Sequence, residues 1–390
     1  MFIQEDIGLP VFSFCFITCY NFHVGTYMEK KKHRGLKIAL ICVCSFLAFI
    51  LAFVGGFLIF ASATTLKVKD VEDMPINGEI TTKVDKNQEI KLLTWNVGYG
   101  ALDEKQDCYW DGGKGVVGES KEVVKENIEA ISNKISEEDP DIFFIQEIDI
   151  KSKRSYKLNE LNILKDNYAI KYNNSYACNF KAGFIPLPLY NPFGRVEGGI
   201  TSFSKYQLTE SKRVQLPIPF SWPMKLLNLK RCLLINRSPI DGSDKELVMI
   251  NLHLEAYDDG EGKAKQLKQL MDIMEEEYAK GNYVIAGGDF NQCFSNVDLT
   301  KYPKMNDWVC PIIDVSQYSN FTFNMDDSVP TCRSLYKTYF DNDHSYTSFQ
   351  HYMLDGFITS NNISVNSLET LDLGFKNTDH NPVVMKINLN

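Results

Sequence analysis

Several common sequence signatures are absent from the 390 residues of this chain. Its ten cysteines form no Cys-x-x-Cys pair, which weighs against a zinc cluster. No internal repeat or low-complexity tract is visible. Basic residues are also in deficit, because 41 Lys and Arg stand against 50 Asp and Glu, a formal net charge of -9. A general nucleic-acid binder usually has a basic surface, so this balance weighs against a nuclease of duplex DNA and leaves small or single-stranded substrates open.

The remaining composition is ordinary for a folded protein, with 44% hydrophobic and 23% charged residues. Four cysteines lie in apolar segments near the N-terminus. The other six are scattered: Cys108, Cys178, Cys232, Cys293, Cys310 and Cys332. We interpret these six as buried free thiols, with one or two disulfides as the alternative in an extracellular protein.

Residues 36–60 form a long apolar run that is interrupted only by Lys37, Ser45 and small residues. The run is long enough to cross a hydrocarbon core of about 30 Å as a helix. The basic stretch 30–37 at its leading edge predicts a single-pass cell-membrane protein with a cytoplasmic N-terminus and an extracellular catalytic part. Ala61-Ser62-Ala63 resembles a signal-peptidase site, so a protein secreted after cleavage behind Ala63 stays open.

The predicted domain layout has four parts. Residues 1–35 are an N-terminal segment, residues 36–60 the anchor, residues 61–88 a polar linker, and residues 89–390 the catalytic domain. Residues 1–27 are either an upstream-start artefact, with Met28 as the natural start, or a second short membrane segment.

The pattern of the large domain predicts an α/β protein. Amphipathic helices are predicted over Glu119–Glu138 and Gly262–Tyr278, and short apolar runs between turn residues predict strands. Strands outnumber helices, and several strands follow one another without an intervening helix. This order favours two packed sheets with helices outside over a doubly wound parallel sheet.

Two proline-rich apolar segments interrupt this pattern, Phe184–Tyr190 and Leu216–Pro223. Their prolines exclude a regular helix or a central strand, so we expect loops or a hairpin. They either pack against the domain or form a surface that contacts lipid or an amphiphilic substrate.

Five short polar motifs carry the chemistry of the chain, and the first four each follow a strand-like run. They are Thr94-Trp95-Asn96, Gln146-Glu147, Asn251-Leu252-His253, Gly288-Asp289-Phe290-Asn291 and Thr378-Asp379-His380. Strand ends that converge on one rim are where α/β enzymes place their active sites. Carboxylates, amides and imidazoles in such a place suit a hard metal ion and a phosphate group.

Glu147 and the Asp289/Asn291 pair are the sharpest of these signals. A carboxylate at the end of a buried strand needs a cation or hydrogen-bond donors, and Mg²⁺ is its natural partner. Asp289 could orient or deprotonate a water while Asn291 donates to a phosphoryl oxygen. Gly287-Gly288 lets the backbone turn tightly, and residues at i and i+2 of an extended segment can face the same point. His253 and His380 are candidate catalytic imidazoles, and Asp355 is a candidate to orient His380.

The order of these motifs resembles the endonuclease/exonuclease/phosphatase superfamily of Mg²⁺-dependent phosphoesterases, over roughly residues 90–390. The resemblance implies a four-layer α/β sandwich, with two mixed β-sheets between helices, preceded here by the transmembrane helix. It implies metal binding by Asn96, Glu147 and Asp379, with Mg²⁺ replaceable by Mn²⁺. It also implies catalytic roles. His253 would contact the phosphate or the leaving oxygen, Asp289 would position and activate the attacking water, and Asn291 would bind a phosphoryl oxygen. His380 would be the general base or the transition-state stabiliser, and Asp355 would orient the His380 imidazole.

Three functions follow as hypotheses. The first is an outward-facing, membrane-anchored phosphodiesterase or phosphatase that acts on a phospholipid or sphingomyelin-like headgroup ester. The second is an extracellular surface nuclease with nucleic acid as its substrate. The third is a non-catalytic binding module on the same fold, against which the complete set of polar residues argues.

Overall fold

The computed structural model describes residues 34–258, 260–305 and 308–390. The predictions for residues 1–33, including the start at Met28, lie outside the described residues. Contacts divide the chain into two compact units that meet between Ile59 and Phe60. The polar motifs all lie in the second unit.

The first described element is an apolar helix, α1, over Arg34–Thr64. Its segment Ala39–Thr64 has a mean hydropathy of 2.6, and large side chains such as Phe49 and Leu51 are exposed. The segment's 26 residues correspond to about 39 Å of helix. The helix is therefore long and apolar enough to cross a membrane, as the sequence predicted.

Three more helices and 18 strands are described. The helices are α2 (Lys121–Glu138), α3 (Glu160–Tyr168) and α4 (Glu261–Ala279). The strands are β1 (Val71–Asp73), β2 (Ile76–Asn77), β3 (Ile90–Asn96), β4 (Ile142–Asp149), β5 (Asn173–Ile185), β6 (Gly194–Ser204), β7 (Glu210–Gln215), β8 (Cys232–Pro239), β9 (Glu246–His253), β10 (Tyr283–Asp289), β11 (Cys293–Phe294), β12 (Ile312–Ile313), β13 (Phe321–Asn324), β14 (Cys332–Arg333), β15 (His351–Tyr352), β16 (Asp355–Ser360), β17 (Ile363–Thr370) and β18 (Val383–Leu389).

Two seven-stranded mixed sheets form the body of the second unit. Sheet 1 has the order β1-β7-β8-β9-β10-β16-β13, and sheet 2 has the order β17-β18-β3-β4-β6-β5-β2. Each sheet contains one parallel pair, β9 with β10 and β3 with β4, and its other pairs are antiparallel. Parallel neighbours end at the same edge, so each sheet presents one pair of strand ends at a common rim.

Three apolar layers hold the sandwich together. Between the sheets, Leu92 and Phe144 of sheet 2 belong to one buried cluster with Met249 and Ile285 of sheet 1. Helices α2 and α3 cover the outer face of sheet 2, and α4 covers that of sheet 1. The four-layer α/β sandwich predicted from the sequence is therefore confirmed.

The amphipathic faces predicted for the helices are also confirmed. Val124, Ile128, Ile131 and Ile135 of α2 are fully buried or nearly so. The Ser120 side chain caps α2 by accepting a hydrogen bond from the Val123 N–H at 3.1 Å. Such a cap contributes about 1 kcal/mol, so α2 begins where its polar cap precedes the apolar face.

The structure differs from the sequence interpretation in two places. Within the predicted linker, β1 pairs with β7 and β2 pairs with β5, so this part of the chain adds an edge strand to each sheet. Gly287 and Gly288 lie inside β10 rather than in a turn. A Cβ atom at Gly288 would approach the Leu252 carbonyl oxygen to 2.0 Å, so the glycine is needed for close strand pairing.

Candidate active site

Three predicted residues lie side by side at the rim of sheet 1. Asp289 at the end of β10 is in register with His253 of β9 and with Asp355 of β16. All three side chains are almost completely buried. The strand pairing therefore aligns an imidazole and two carboxylates in one row.

Sheet 2 contributes Asn96 and Glu147 to the same rim. Asn96 ends β3, and Glu147 lies in β4 with φ 54, where the register with β6 shifts between Ile145 and Ile148. The left-handed backbone at Glu147 interrupts the regular alternation of side chains. As a result Gln146 points between the sheets while Glu147 reaches the rim.

Asn96 connects the two sheets at the site. Its Nδ2 group donates to Asp289 Oδ2 at 3.0 Å and to Glu147 Oε1 at 3.3 Å. His253 Nε2 lies 3.4 Å from Asp289 Oδ2 and 3.7 Å from Glu147 Oε1. Four predicted residues from two sheets therefore form one contiguous polar cluster.

His380 closes the cluster on its other side. Its Nδ1 lies 2.7 Å from Asp355 Oδ2, while its Nε2 lies 3.9 Å from both Asp289 Oδ2 and Asp379 Oδ2. The Trp95 indole N–H donates to the His380 backbone oxygen at 2.9 Å. Asp355, rather than the adjacent Asp379, is thus the carboxylate that orients the imidazole.

Asn291 also borders the site, with φ 49. Its backbone N–H donates to Asp289 Oδ1 at 2.8 Å, and its Nδ2 group donates to the Leu254 carbonyl oxygen at 2.9 Å. The second of its amide hydrogens is available to a ligand. The predicted pair Asp289 and Asn291 is therefore joined through the backbone.

Burial and neighbouring charges separate the protonation states of the two imidazoles. Burial lowers the pKa of His253 well below its usual range, and the charges of Arg231 and His380 lower it further. For His380, burial opposes the charge, but Asp355 and the other anionic neighbours outweigh it and raise the pKa well above the usual range. At neutral pH, His253 is neutral and His380 is an imidazolium.

Asp289 has a perturbed acidity as well. Burial, followed by repulsion from Asp355, raises the pKa of Asp289 to about 6. The charge of His380 and the hydrogen bonds that Asp289 accepts from Asn291 and Asn96 act in the opposite direction and lower this pKa. A carboxyl group with this pKa can exchange a proton near neutral pH. The pKa of Glu147 is also raised, first by burial, and Arg154 opposes that shift.

The oxygen-rich donor set fits a divalent cation. Four carboxylates, those of Glu147, Asp289, Asp355 and Asp379, lie in or beside the cluster, and polar atoms of Asp289, Asp355 and His380 lie within 4.8 Å of one another. One Asp355 oxygen has no hydrogen-bond partner among the described residues. Buried, underpaired carboxylates need positive charge, and carboxylate oxygens suit hard divalent ions.

Gln146 and Asn251 lie in the predicted motifs but had no predicted role. Gln146 Nε2 donates to Asn251 Oδ1 at 2.8 Å and to Thr94 Oγ1 at 3.1 Å. Asn251 Nδ2 donates to the Thr201 carbonyl oxygen at 2.8 Å. This inter-sheet bridge, formed by Thr94, Gln146, Asn251 and Thr201, joins the sheets through buried polar groups directly behind the site.

Two arginines with little solvent exposure near the site, Arg154 and Arg231, have no signal in the sequence motifs. Arg154 pairs with Asp149 at 3.0 Å, and its guanidinium carbon lies 3.5 Å from the centre of the Tyr99 ring. Arg231 lies 3.8 Å from Glu255, with both side chains buried. Only the fold reveals them: antiparallel pairing of β8 with β9, for example, brings Arg231, which directly precedes β8, level with the end of β9 at His253.

Comparison with known proteins agrees with this geometry. The sequence model of the Endonuclease/Exonuclease/phosphatase family matches residues 93–374. No curated protein matches the chain. Similar solved structures include an endonuclease/exonuclease/phosphatase from Beutenbergia cavernae, with 15% identity, a TM-score of 0.53, and coverage of 78% of this chain and 72% of that chain.

Two other similar structures come from vertebrates. TDP2 of D. rerio, complexed with a single-strand DNA product, has 14% identity and a TM-score of 0.48, and the match covers 77% of this chain and all of that one. The human Nocturnin catalytic domain with a bound sulfate anion has 16% identity and a TM-score of 0.48, with coverage of 81% and 98%. At 15% identity and a TM-score of 0.53, the Beutenbergia cavernae structure shows a common fold. Because the family match spans most of the chain, the protein belongs to the endonuclease/exonuclease/phosphatase family, whose members are generally phosphoester hydrolases.

Proposed function

We propose that the protein is a divalent-metal-dependent phosphoester hydrolase that is anchored in a membrane and acts on its outer side. The observation that carries this proposal is the contiguous cluster in which Asn96 links Glu147 to Asp289 and His380 links Asp289 to Asp355. Such a cluster combines carboxylates for a metal with groups that handle a water and a phosphoryl oxygen.

In this proposal Asp289 is the general base. A carboxylate with a pKa of about 6 is largely ionised at pH 7 and can still accept a proton from a water. His380 is already protonated under the same conditions because of Asp355, so it is suited to stabilise negative charge on the phosphoryl group. Neutral His253 and the free amide hydrogen of Asn291 donate to the substrate oxygens.

Glu147 would hold the metal ion, together with Asp379 and the amide oxygen of Asn96. The hard carboxylate set favours Mg²⁺, with Mn²⁺ as a substitute. A bound divalent ion supplies charge stabilisation to a phosphoryl oxygen. Asn96 already uses both amide hydrogens on Glu147 and Asp289, so it also fixes the spacing between these two carboxylates.

A phospholipid or sphingomyelin-like headgroup ester is the proposed substrate. Three observations support this choice: α1 is able to span a membrane, the net charge is negative, and apolar side chains are exposed on two loops. The basic residues at the leading edge of the apolar run support an orientation with the second unit outside the cell. An extracellular nuclease with the same site is the outcome that the experiment must distinguish.

The experiment uses the full chain in nanodiscs and compares defined substrates with Mg²⁺, Mn²⁺ or EDTA. The panel contains lipid headgroup esters in the disc, a soluble phosphodiester, inositol phosphate, plasmid DNA and single-stranded RNA. We expect metal-dependent release of phosphorylated headgroup. His380→Asn and Asp289→Ala should abolish it, whereas Asp141→Asn, at the opposite end of β4, should not.

Two results would contradict the proposal. Cleavage of DNA or RNA with no headgroup release would replace the lipid substrate by nucleic acid. Absence of hydrolysis across the panel, together with no Mg²⁺ binding by calorimetry, would indicate a non-catalytic binding module.

A further inference from the structure

Two hairpin loops expose apolar side chains on the second unit. In the loop between β5 and β6, Leu189 is 83% exposed and Tyr190 is 69% exposed. In the loop between β7 and β8, Trp222 is 58% exposed and Met224 is 55% exposed. We call these two loops, residues 186–193 and 217–229, the apolar loops. Exposed apolar side chains that cluster in this way mark an interaction surface.

Hydrogen bonds connect the bases of both loops to the residues at the end of α1. The Leu66 backbone N–H donates to the Lys181 oxygen at 3.0 Å, and the Leu66 backbone oxygen accepts a hydrogen bond from Lys230. Lys230 Nζ also donates to Thr65 Oγ1 at 2.8 Å. Lys181 precedes the first loop and Lys230 follows the second. Both loops therefore leave the domain next to the point where the apolar helix ends.

The end of α1 also packs directly on β5. Ala61 is buried, and a Cβ atom at Gly183 would lie 2.4 Å from Thr64 Oγ1 and 2.9 Å from the Phe60 ring. Any side chain at position 183 would collide with this turn. Phe60–Thr64 belong to the second unit, so the last turn of the apolar segment lies beside the strand that leads into the first apolar loop.

The composition of the loops suits the boundary between lipid and water. Neither loop contains an Asp or Glu, and Lys225 is their single basic residue. No carboxylate would have to lose its hydration on contact with lipid. Tyr190 and Trp222 have the amphipathic rings that concentrate at membrane interfaces, and a lysine can extend its ammonium towards the headgroups.

The apolar loops also lie beside the catalytic cluster. Gln266 Nε2 donates to the Pro217 oxygen, and Gln266 Oε1 accepts from the Glu255 N–H, both at 2.9 Å. Glu255 is two residues from His253. On the other side, the Tyr190 hydroxyl donates to the Lys114 oxygen at 3.1 Å, and Trp110 stacks on Phe193 at 5.4 Å. Asp111, next to Trp110, accepts a hydrogen bond from the Tyr257 hydroxyl at 3.4 Å. Tyr257 lies in the segment that follows His253.

From these contacts we propose that the apolar loops insert into the outer leaflet of the membrane that anchors the chain, and so bring the active site to the lipid headgroups. This deepens the proposed function and rests on it for the substrate, while the docking itself needs only the anchor. A second copy of the chain or another protein on this surface is an alternative that the test separates.

The test measures contact of Trp222 with acyl chains. The full chain is placed in phosphatidylcholine nanodiscs with plain or brominated acyl chains, and the emission of Trp222 is obtained as the difference between wild type and Trp222→Phe. We expect bromine to quench this difference emission about twofold or more, because interfacial indoles lie within reach of the upper acyl chain.

A double variant that adds two negative charges to the first apolar loop tests the contact with lipid. Leu189→Asp combined with Tyr190→Asp should restore most of the emission in brominated discs and lower headgroup release about tenfold. Ile170→Asp serves as the matched variant, because Ile170 is 93% exposed and lies before β5, at the end of the strand opposite to the loop. It should leave both quantities unchanged, and the thermal unfolding of all variants checks that they fold.

The outcomes separate the docking from the function. Equal Trp222 emission in plain and brominated discs overturns the docking, even if a soluble phosphodiester is hydrolysed and the proposed function stands. Self-association that protects Trp222 without quenching also overturns it, in favour of a second copy. Quenching without hydrolysis of any phosphoester supports the docking and refutes the proposed function.

Discussion

The contact between Asp355 and His380 offers a sharp test of the proposed chemistry. Asp355→Asn removes one negative charge and keeps the size of the side chain. A hydrogen bond between charged groups contributes about 1.5–3 kcal/mol, and the 2.7 Å distance places this bond in that class. Loss of this hydrogen bond lowers the pKa of His380, and loss of its energy from the transition state lowers the rate by about 10- to 150-fold.

The sign of the pH effect follows from the direction of the shift. The raised pKa of His380 keeps the imidazolium present at neutral pH, and activity that needs it is lost as pH rises through that pKa. In Asp355→Asn the alkaline limb of the kcat profile should therefore move to lower pH. A stopped assay with a soluble phosphodiester from pH 5 to 10 measures the profile.

Asp141→Asn is the control for this variant, since Asp141 accepts a hydrogen bond from the Lys91 N–H away from the rim. It should keep the wild-type rate and profile. An Asp355→Asn protein with an unchanged alkaline limb would refute the assignment of His380 as the imidazolium. A lowered rate with a shifted acid limb would instead indicate that His380 is the base.

Three further predictions concern the metal, the core and pH stability. Glu147→Gln should weaken Mg²⁺ binding about tenfold or more, measured by calorimetry, because it removes the proposed ligand charge; equal affinity would remove Glu147 from the metal site. Asn251→Leu should lower the free energy of unfolding by about 1–3 kcal/mol, measured by urea denaturation, because Gln146 loses its partner; an unchanged midpoint would contradict the inter-sheet bridge. Burial raises the pKa of Glu277, but hydrogen bonds from Arg237 and others outweigh it and set the pKa to about 2. Its stabilisation, about 3 kcal/mol at most, is present above pH 4.5 and is lost as pH falls towards 2, and Glu277→Gln should flatten that acid dependence of the melting temperature.

The sequence predicted those parts of the fold that depend on local periodicity. The buried faces of α2 and α4 repeat at helical spacing, and β4 and β10 are continuous apolar runs, so their positions follow from the pattern. Helix α3 escaped prediction because its nine residues bury only one short face. Strand β5 escaped because it ends in the proline-rich segment that indicated a loop.

The residue types of the site were also visible in the sequence, while its connections were not. Register places His253, Asp289 and Asp355 in one row, and such register between strands that are tens of residues apart has no local signal. The same holds for Arg154 and Arg231, which approach the site only after the strands pair. The predicted roles of the individual side chains remain proposals, now with distances that make them testable.

The division of the active site between two sheets has a mechanical consequence. Glu147 belongs to one sheet and Asp289 to the other, and the Asn96 amide spans the 3.0 and 3.3 Å gaps between them. Sliding of one sheet over the other by even 1 Å would break one of these hydrogen bonds before any strand separates. The inter-sheet bridge, directly behind these contacts, also resists such sliding. We expect warming or pressure that loosens the sandwich to end the proposed activity while the secondary structure is still intact.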